Sequence, residues 1–314
     1  MKIYFLLLLL IPSLFFSQDD YIVDFFGKDS TNYMFVNTDN LIEERWDQLA
    51  QPIFWKQVML LHSDSCLINI AATRTILGRD SFIKWKAQTE EEKTLYKDSV
   101  RKFYNLSPTE KIYVTSGKSH FYQFQKVIPS ISKAIPLFKK YKTDPWFAQA
   151  ILLIESPGKI KFSNVGAYGP FQLMKSVARS HGLIVNKTID ERKDFNKSAM
   201  GAASLIRETC IPQAKRILNE NNIPFSEHEV WFKLFVLHVY HAGAGNVEGL
   251  INSFDTKPSN QQLITKMWQS EWGGFKNASQ NYSQVALAAM LNLREVIDND
   301  CKAYYGCSLE EVQY

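Results

Sequence analysis

The sequence has no low-complexity tract and no block of like charge, and these two absences exclude several classes of protein. Because 46% of the residues are hydrophobic and no biased segment interrupts them, we expect an ordered globular chain rather than a disordered one. The net charge is only +4, with Lys and Arg spread along the chain. This mild surplus suits an anionic partner but does not favour nucleic acid, which normally needs a concentrated basic patch.

Cysteine is scarce, and its positions do not indicate a metal site. The chain has four cysteines, Cys66, Cys210, Cys301 and Cys307, and no His lies at ligand spacing from any of them. Cys301 and Cys307 are close enough in sequence to close a small disulfide loop, whereas Cys66 and Cys210 would pair only if the fold brought them together. We therefore expect no metal and no cofactor.

The apolar run at the N-terminus, residues 3–11, is too short for a membrane-spanning helix. Lys2 precedes the run, and Ser17 is followed by polar residues, which is the pattern of a cleavable secretory signal. We predict a signal peptide over residues 1–17 and an exported mature chain without stable membrane insertion. An uncleaved N-terminal anchor is the alternative. No Cys near the cleavage point is available to accept a lipid.

Apolar periodicity predicts a mainly all-α protein with little strand. Helices are expected over residues 41–61 and 65–86 of an N-terminal helical region (18–110), and a short strand or extended arm over 111–117 opens a second domain (111–314). A helix over 121–140 contains Pro129 and Pro136, each of which would kink or end it. Later helices are predicted over residues 172–180, 198–219, 228–240, 247–254 and 282–298.

Glu155 stands at the end of an apolar helix that begins at Pro145, with Asp144 as its N-cap. Pro157 and Gly158 follow directly and would end the helix. A carboxyl group in such an apolar setting should have a raised pKa, because desolvation disfavours its charged form. Such an acid can donate a proton near neutral pH, although a solvated residue at a helix end is the simpler interpretation.

Three later segments combine small residues with polar or aromatic ones. The first runs from residue 164 to 174, where Gly166 and Gly169 permit a tight loop before a helix. The second, residues 239–247, is an aromatic helix end that breaks into small residues, which would let a ligand approach the backbone. The third is Asn281 and Tyr282, at the start of a helix. Each of these three segments, taken alone, would also be compatible with a purely structural role.

Taken in order, these segments resemble the lytic transglycosylases of the goose-lysozyme-like superfamily. The hallmark order of that superfamily is Glu-Ser, then Gly-Ala-x-Gly-x-x-Gln-x-Met, then Tyr-Asn-Ala-Gly, then a Tyr. The corresponding residues here are Glu155, Ser156, Gly166, Ala167, Gly169, Gln172, Met174, Tyr240, His241, Ala242, Gly243 and Tyr282. The resemblance covers residues 111–293, and the arm 112–121 with the run 189–194 is most similar to the membrane-bound lytic transglycosylase D subfamily.

The chain departs from the superfamily pattern at two places. His241 stands where Asn is usual, and Ser279 and Gln280 replace a Glu-Thr pair before the late Tyr. Neither change removes the acid, but each affects how the sugar is held. His241 would either donate to the substrate in place of the amide or simply pack at the helix end.

The resemblance implies an enzyme that acts on peptidoglycan glycan strands in the periplasm or at the cell wall. Glu155 would protonate the bond between N-acetylmuramic acid (MurNAc) and N-acetylglucosamine (GlcNAc), then accept a proton from the muramic 6-hydroxyl, leaving a 1,6-anhydro end. The implied binding residues are Ser156, Gly166, Ala167, Gln172, Met174, Tyr240, His241, Ala242, Gly243 and Tyr282. The alternatives are a lysozyme-like hydrolase and a non-catalytic glycan-binding protein.

Overall fold

The computed structural model describes residues 21–26, 31–155 and 166–305, with side chains as far as residue 299. The protein is 58% helical and has two small sheets, so the expectation of a mainly all-α, lysozyme-like fold is confirmed. The predicted signal peptide, Ser156 and Cys307 lie outside the described residues. No described helix is long and apolar enough to cross a bilayer.

The described chain begins with an antiparallel hairpin of β1 (Ile22–Phe26) and β2 (Asn32–Val36) that the sequence did not predict. Gln149 fixes this hairpin to the helical core. Its side-chain oxygen accepts from the Val36 amide at 2.8 Å, and its nitrogen donates to the Val36 carbonyl at 3.0 Å. Helices α1 (Asp39–Glu43) and α2 (Ala50–Leu60) follow, separated by a 3-10 turn over Trp46–Gln48.

A three-stranded antiparallel sheet follows α2, in the order β4-β3-β5. Its strands are β3 (Ser65–Ile70), β4 (Ile76–Ser81) and β5 (Ile112–Ser116). The helix predicted over residues 65–86 is therefore wrong up to Ser81, because a short apolar run does not distinguish a buried strand from a helix. The strand expected over 111–117 is confirmed. Between β4 and β5 lie α3 (Phe82–Ala87) and α4 (Glu90–Phe103).

Two helices form the centre of the protein. α5 (Phe124–Lys140) continues through Pro129 and Pro136, so of the two expected effects, a kink or an end, the end does not occur. Its buried apolar face, which packs on α6 (Pro145–Glu155), compensates for the missing backbone hydrogen bonds. The predicted cap of α6 is confirmed, because the Asp144 carboxylate accepts from the Trp146 amide at 2.9 Å.

The remaining helices follow α6 in the chain. They are α7 (Lys175–Ser180), α8 (Phe195–Leu205), α9 (Ile211–Glu220), α10 (Val230–Ala242), α11 (Ala244–Asn252), α12 (Asn260–Trp268) and α13 (Ala278–Tyr305). A π-helical turn, Ile206–Cys210, joins α8 to α9. α13 packs against α2, α6 and α10, so one continuous core includes both the N-terminal region and the later helices.

Cys66 lies in β3 and Cys210 in the π-helical turn, and both are buried free thiols. The fold therefore does not pair them. The side chains of Cys301 and Cys307 lie outside the described part of the chain, so the pairing expected for them stays a prediction.

Candidate active site

Glu155 is the last residue of α6, a helix whose other residues are almost all buried. The residue as a whole is of intermediate exposure, whereas its carboxyl group is strongly desolvated. Burial raises the pKa of this carboxyl group from 4.5 to about 7, while the nearby Tyr282 hydroxyl acts in the opposite direction. The raised pKa expected from the sequence is confirmed, and it leaves a substantial protonated fraction at neutral pH.

Three tyrosines surround this carboxyl group: Tyr122, Tyr240 and Tyr282. Burial raises the pKa of each phenol, and the negative charge of Glu155 raises it further. The Tyr240 hydroxyl donates to the Phe171 carbonyl at 2.6 Å. The Tyr282 hydroxyl faces Glu155 without reaching hydrogen-bonding geometry, and it has no hydrogen-bond partner among the described residues.

Tyr122 was not anticipated from the sequence. It lies in the turn before α5, where its amide donates to the Lys118 carbonyl at 3.1 Å. Its ring is buried and stacks on Phe124 with centroids 6.3 Å apart. The only signal at this position in the sequence is the adjacent aromatic pair Phe121 and Tyr122 at the end of the predicted arm. Such a pair does not by itself indicate a functional site.

The loop 166–174 is held in shape by Arg192. The buried guanidinium donates to the carbonyls of Gly166 at 2.9 Å and Leu173 at 3.0 Å, and it pairs with Asp190 at 2.7 Å. Gly169 passes so close that an added Cβ would lie 1.9 Å from the Arg192 carbonyl oxygen. Asp190 and Arg192 thereby form an ion pair within the charged run 190–194.

The predicted binding residues of this loop have different environments. Gln172 adopts a left-handed conformation with φ of 48°, and its side chain donates to the Gly169 carbonyl at 3.0 Å. Ala167 is buried, whereas Met174, the residue before α7, is exposed. The loop is linked to the acid by Tyr240, whose hydroxyl donates to the Phe171 carbonyl and whose phenol lies within the field of Glu155.

The break between α10 and α11 brings His241 to the same place. Gly243 ends α10 with φ of 81°, a conformation that favours glycine. The His241 ring stacks on Tyr282 with centroids 4.2 Å apart. Desolvation of the ring by burial lowers the pKa of the imidazole, although the residue as a whole is exposed to solvent. Asn246 fixes the break by donating to the Ala242 carbonyl at 2.8 Å.

The two tryptophans that precede Tyr282 have separate roles. Trp268 is buried in the core, where its indole donates to Ser283 Oγ at 2.7 Å, and Ser283 Oγ lies 2.7 Å from His238 Nε2. Trp272 is 44% exposed, and its ring packs directly on Gly249. Of the two, only Trp272 offers a ring to a ligand.

No carboxylate of the described residues changes the pKa of Glu155. The acids of the charged run are engaged elsewhere. Asp190 pairs with Arg192, and Asp194 caps α8 by accepting from the Lys197 amide at 2.8 Å. The segment 156–165, which follows Glu155 outside the described residues, contains no Asp or Glu in its sequence.

The fold and the site together define a mainly helical, lysozyme-like protein with one buried carboxyl group among tyrosines. Residues 134–263 match the family model of the Transglycosylase SLT domain. The match contains Glu155, Gln172 and Tyr240, and it ends before Tyr282. Members of this family are lytic transglycosylases, which supports an enzyme of that superfamily with peptidoglycan as its substrate. A search of curated proteins returned no match.

Proposed function

We propose that this protein is an exported lytic transglycosylase, related to the membrane-bound lytic transglycosylase D subfamily, that leaves 1,6-anhydro-MurNAc ends on peptidoglycan strands. The observation that carries the proposal is the Glu155 carboxyl group, whose pKa is raised to about 7 by burial. A general acid is most effective when its pKa lies near the working pH. The match of residues 134–263 supports the class of reaction.

The same carboxyl group serves twice in this reaction. Protonated Glu155 gives its proton to the oxygen between MurNAc and GlcNAc, and the bond from that oxygen to the muramic anomeric carbon breaks. The muramic 6-hydroxyl oxygen then bonds to the anomeric carbon, and its proton passes to the Glu155 carboxylate. The products are a free GlcNAc 4-hydroxyl and an anhydro sugar, and the acid is regenerated without water.

The absence of a second carboxylate acting on Glu155 among the described residues favours this route over hydrolysis. Most glycosidases place two carboxyl groups about 5–9.5 Å apart, one as acid and the other as nucleophile or base. At such distances a second charge would change the pKa of a buried acid. Because the 6-hydroxyl of the substrate supplies the nucleophile, one acid is sufficient.

The desolvated acid also favours catalysis over simple glycan binding. Burying a carboxyl group destabilises a fold, and a binding protein gains nothing from that loss. We assign Tyr282 to tuning and orienting Glu155, and Tyr240 to holding the loop 166–174 against it. Ser156, Gln172 and Met174, with the backbone at Gly166, Ala167, Ala242 and Gly243, would contact the glycan. The signal-like residues 1–17 support export, with the periplasm or cell wall as the destination.

Digestion of purified peptidoglycan tests the proposal. The mature protein should release fragments with anhydro ends, each lighter by one water than the hydrolytic product, and Glu155→Gln should release none. Glu220→Gln, a change at the last residue of α9, is the matched control and should retain activity. Reducing ends from the wild type would establish a hydrolase instead, and release that persists in Glu155→Gln would remove Glu155 from the mechanism.

A further inference from the structure

Two cations of the N-terminal region, Arg74 and Lys118, lie against the same indole ring. The Arg74 guanidinium carbon is 5.7 Å from the centre of the Trp55 ring, and the Lys118 ammonium is also 5.7 Å from it. Arg74 further contacts the rings of Phe54 at 5.4 Å and Tyr113 at 5.5 Å. We call Arg74, Lys118 and Trp55 the cationic cluster.

The cationic cluster is linked to the site by two hydrogen bonds to α13 and by one turn of the chain. Arg74 donates to the side chain of Asn281, the neighbour of Tyr282, at 3.0 Å. The Trp55 indole donates to Gln284, one turn further along α13, at 3.0 Å. On the other side, the turn that begins at Lys118 leads to Tyr122, and the charge of Glu155 raises the pKa of its phenol. The cluster therefore packs against the first turns of α13, the helix that carries Tyr282.

Neither cation has an acidic partner among the described residues. Both side chains are half-buried, and desolvation lowers the pKa of each. Among the described residues, the two fully buried cations are both paired, Arg192 with Asp190 at 2.7 Å and Lys233 with Asp144 at 2.8 Å. Because a desolvated charge without a partner destabilises the fold, two such charges side by side indicate a place for an anion.

The chemistry of the cluster fits a carboxylate. A guanidinium has five N–H donors, and only one bond of Arg74, that to Asn281, is made to a side-chain acceptor. A guanidinium stacked on aromatic rings keeps its donor edges free, and these match the two oxygens of a carboxylate. The flanking ammonium of Lys118 adds a second charge. Neither cation affects the pKa of Glu155, so the cluster is separate from the proton-transfer step.

We propose that Arg74 and Lys118 bind a carboxylate on the lactyl-peptide substituent of a muramic acid residue held in the cleft. This inference rests on the proposed function, since it assumes that a peptidoglycan strand occupies the site. Two parts of the substrate can supply the carboxylate: the peptide stem, or the free lactyl group of a strand that has lost its stem. The N-terminal region thereby selects muramic acid residues by their charge.

Binding measurements on the mature Glu155→Gln protein test this inference, because the strands are then not consumed. The probes are short GlcNAc–MurNAc strands with peptide stems, strands stripped of stems, and each kind with its carboxylates converted to neutral amides. We expect conversion to the amide to weaken binding about tenfold, the effect of losing one charge-assisted hydrogen bond. The kind of strand that shows this loss identifies which carboxylate is bound.

Adding Arg74→Gln and Lys118→Gln should reduce that tenfold preference to about twofold or less. Lys118→Gln alone should reduce the preference by a factor of about three while leaving the bond between Arg74 and Asn281 intact. The test therefore does not depend on the folding of the double variant. The matched controls are Arg79→Gln in β4 and Lys97→Gln, a lysine that lies over Trp85 at 5.4 Å. Both should keep the full preference.

A preference for carboxylate strands that survives in the double variant would overturn the inference and leave the proposed function intact. Equal binding of carboxylate and amide strands by the Glu155→Gln protein would do the same. If the wild type forms no anhydro ends and the Glu155→Gln protein binds no strand, the proposed function fails and this inference fails with it.

Discussion

The imidazole ring of His241 lies nearly parallel to the phenol ring of Tyr282, with centroids 4.2 Å apart and 21° between the planes. Lytic transglycosylases usually have Asn at this position. Here the residue contacts the tyrosine that faces the acid, and its lowered pKa keeps it neutral at neutral pH. The structure therefore supports packing as the role of His241, and a stack of this kind contributes about 0.5–1.5 kcal/mol.

If His241 acts by stacking, His241→Phe should retain glycan cleavage and His241→Ala should lose it about three- to tenfold, the loss that corresponds to removing one aromatic pair. The measurement is kcat/KM on soluble peptidoglycan strands, with Tyr282→Leu in the same assay to show the effect of losing the partner ring. Equal losses in the Phe and Ala variants would show instead that the imidazole nitrogen contacts the substrate.

The pH dependence of cleavage should follow the protonation of Glu155. Because the protonated acid begins the reaction and its pKa is about 7, kcat/KM should be level below that value and decline above it. Tyr282→Phe removes the group that lowers the pKa of Glu155, so the decline should move to higher pH. Tyr240→Phe is the control. Tyr240 does not affect that pKa, and a shift of the decline in this variant would contradict the assignment.

Glu155→Gln should stabilise the protein at neutral pH. The pKa of Glu155 is higher in the folded state than the ordinary 4.5, so folding binds a proton and stability falls as pH rises from about 4.5 to about 7. Gln is neutral throughout and does not lose this stability. The free energy of unfolding of the variant, measured in urea, should exceed that of the wild type by about 1–3 kcal/mol at pH 8 and differ little from it at pH 4.

The exposed acid Glu91, in the first turn of α4, is the control for this measurement. Glu91→Gln should not show the gain of about 1–3 kcal/mol at pH 8, because this side chain is exposed. A gain in Glu155→Gln that does not depend on pH would show that packing, and not the buried charge, changed the stability.

Gly169 and Gly166 share a φ of 87° but differ in the space around them. Both alanine variants suffer backbone strain of about 1 kcal/mol. Only at Gly169 would the new Cβ also collide with the Arg192 carbonyl, whereas at Gly166 nothing lies within 4 Å. Gly169→Ala should therefore lower the free energy of unfolding by about 3 kcal/mol or more, and Gly166→Ala by about 1 kcal/mol. Equal losses of unfolding free energy in the two variants would mean that backbone strain alone determines the destabilisation.

Local patterns predicted most of the later helices but missed α12, and they predicted the N-terminal region poorly. Asp144 and Pro145 marked the start of α6 because capping and φ restriction act within one turn of the chain. β3 was mistaken for a helix because its six residues satisfy either period and its partners, β4 and β5, are set by distant pairing. The effect of the two prolines on α5 was also overestimated, because packing on α6 outweighs their local tendency to end a helix.

The sequence alone placed Glu155 at the end of an apolar helix, because periodicity and the following Pro157 act locally, whereas only the packing decided that its carboxyl group is desolvated. It also supplied the ordered residues Gln172, Tyr240 and Tyr282. Only the tertiary structure decided that Tyr122 lies beside the acid and that Arg74 and Lys118 meet at Trp55 without an acidic partner among the described residues. These relationships join residues far apart in the chain, and the packing of whole helices and strands, not local preference, sets such distances.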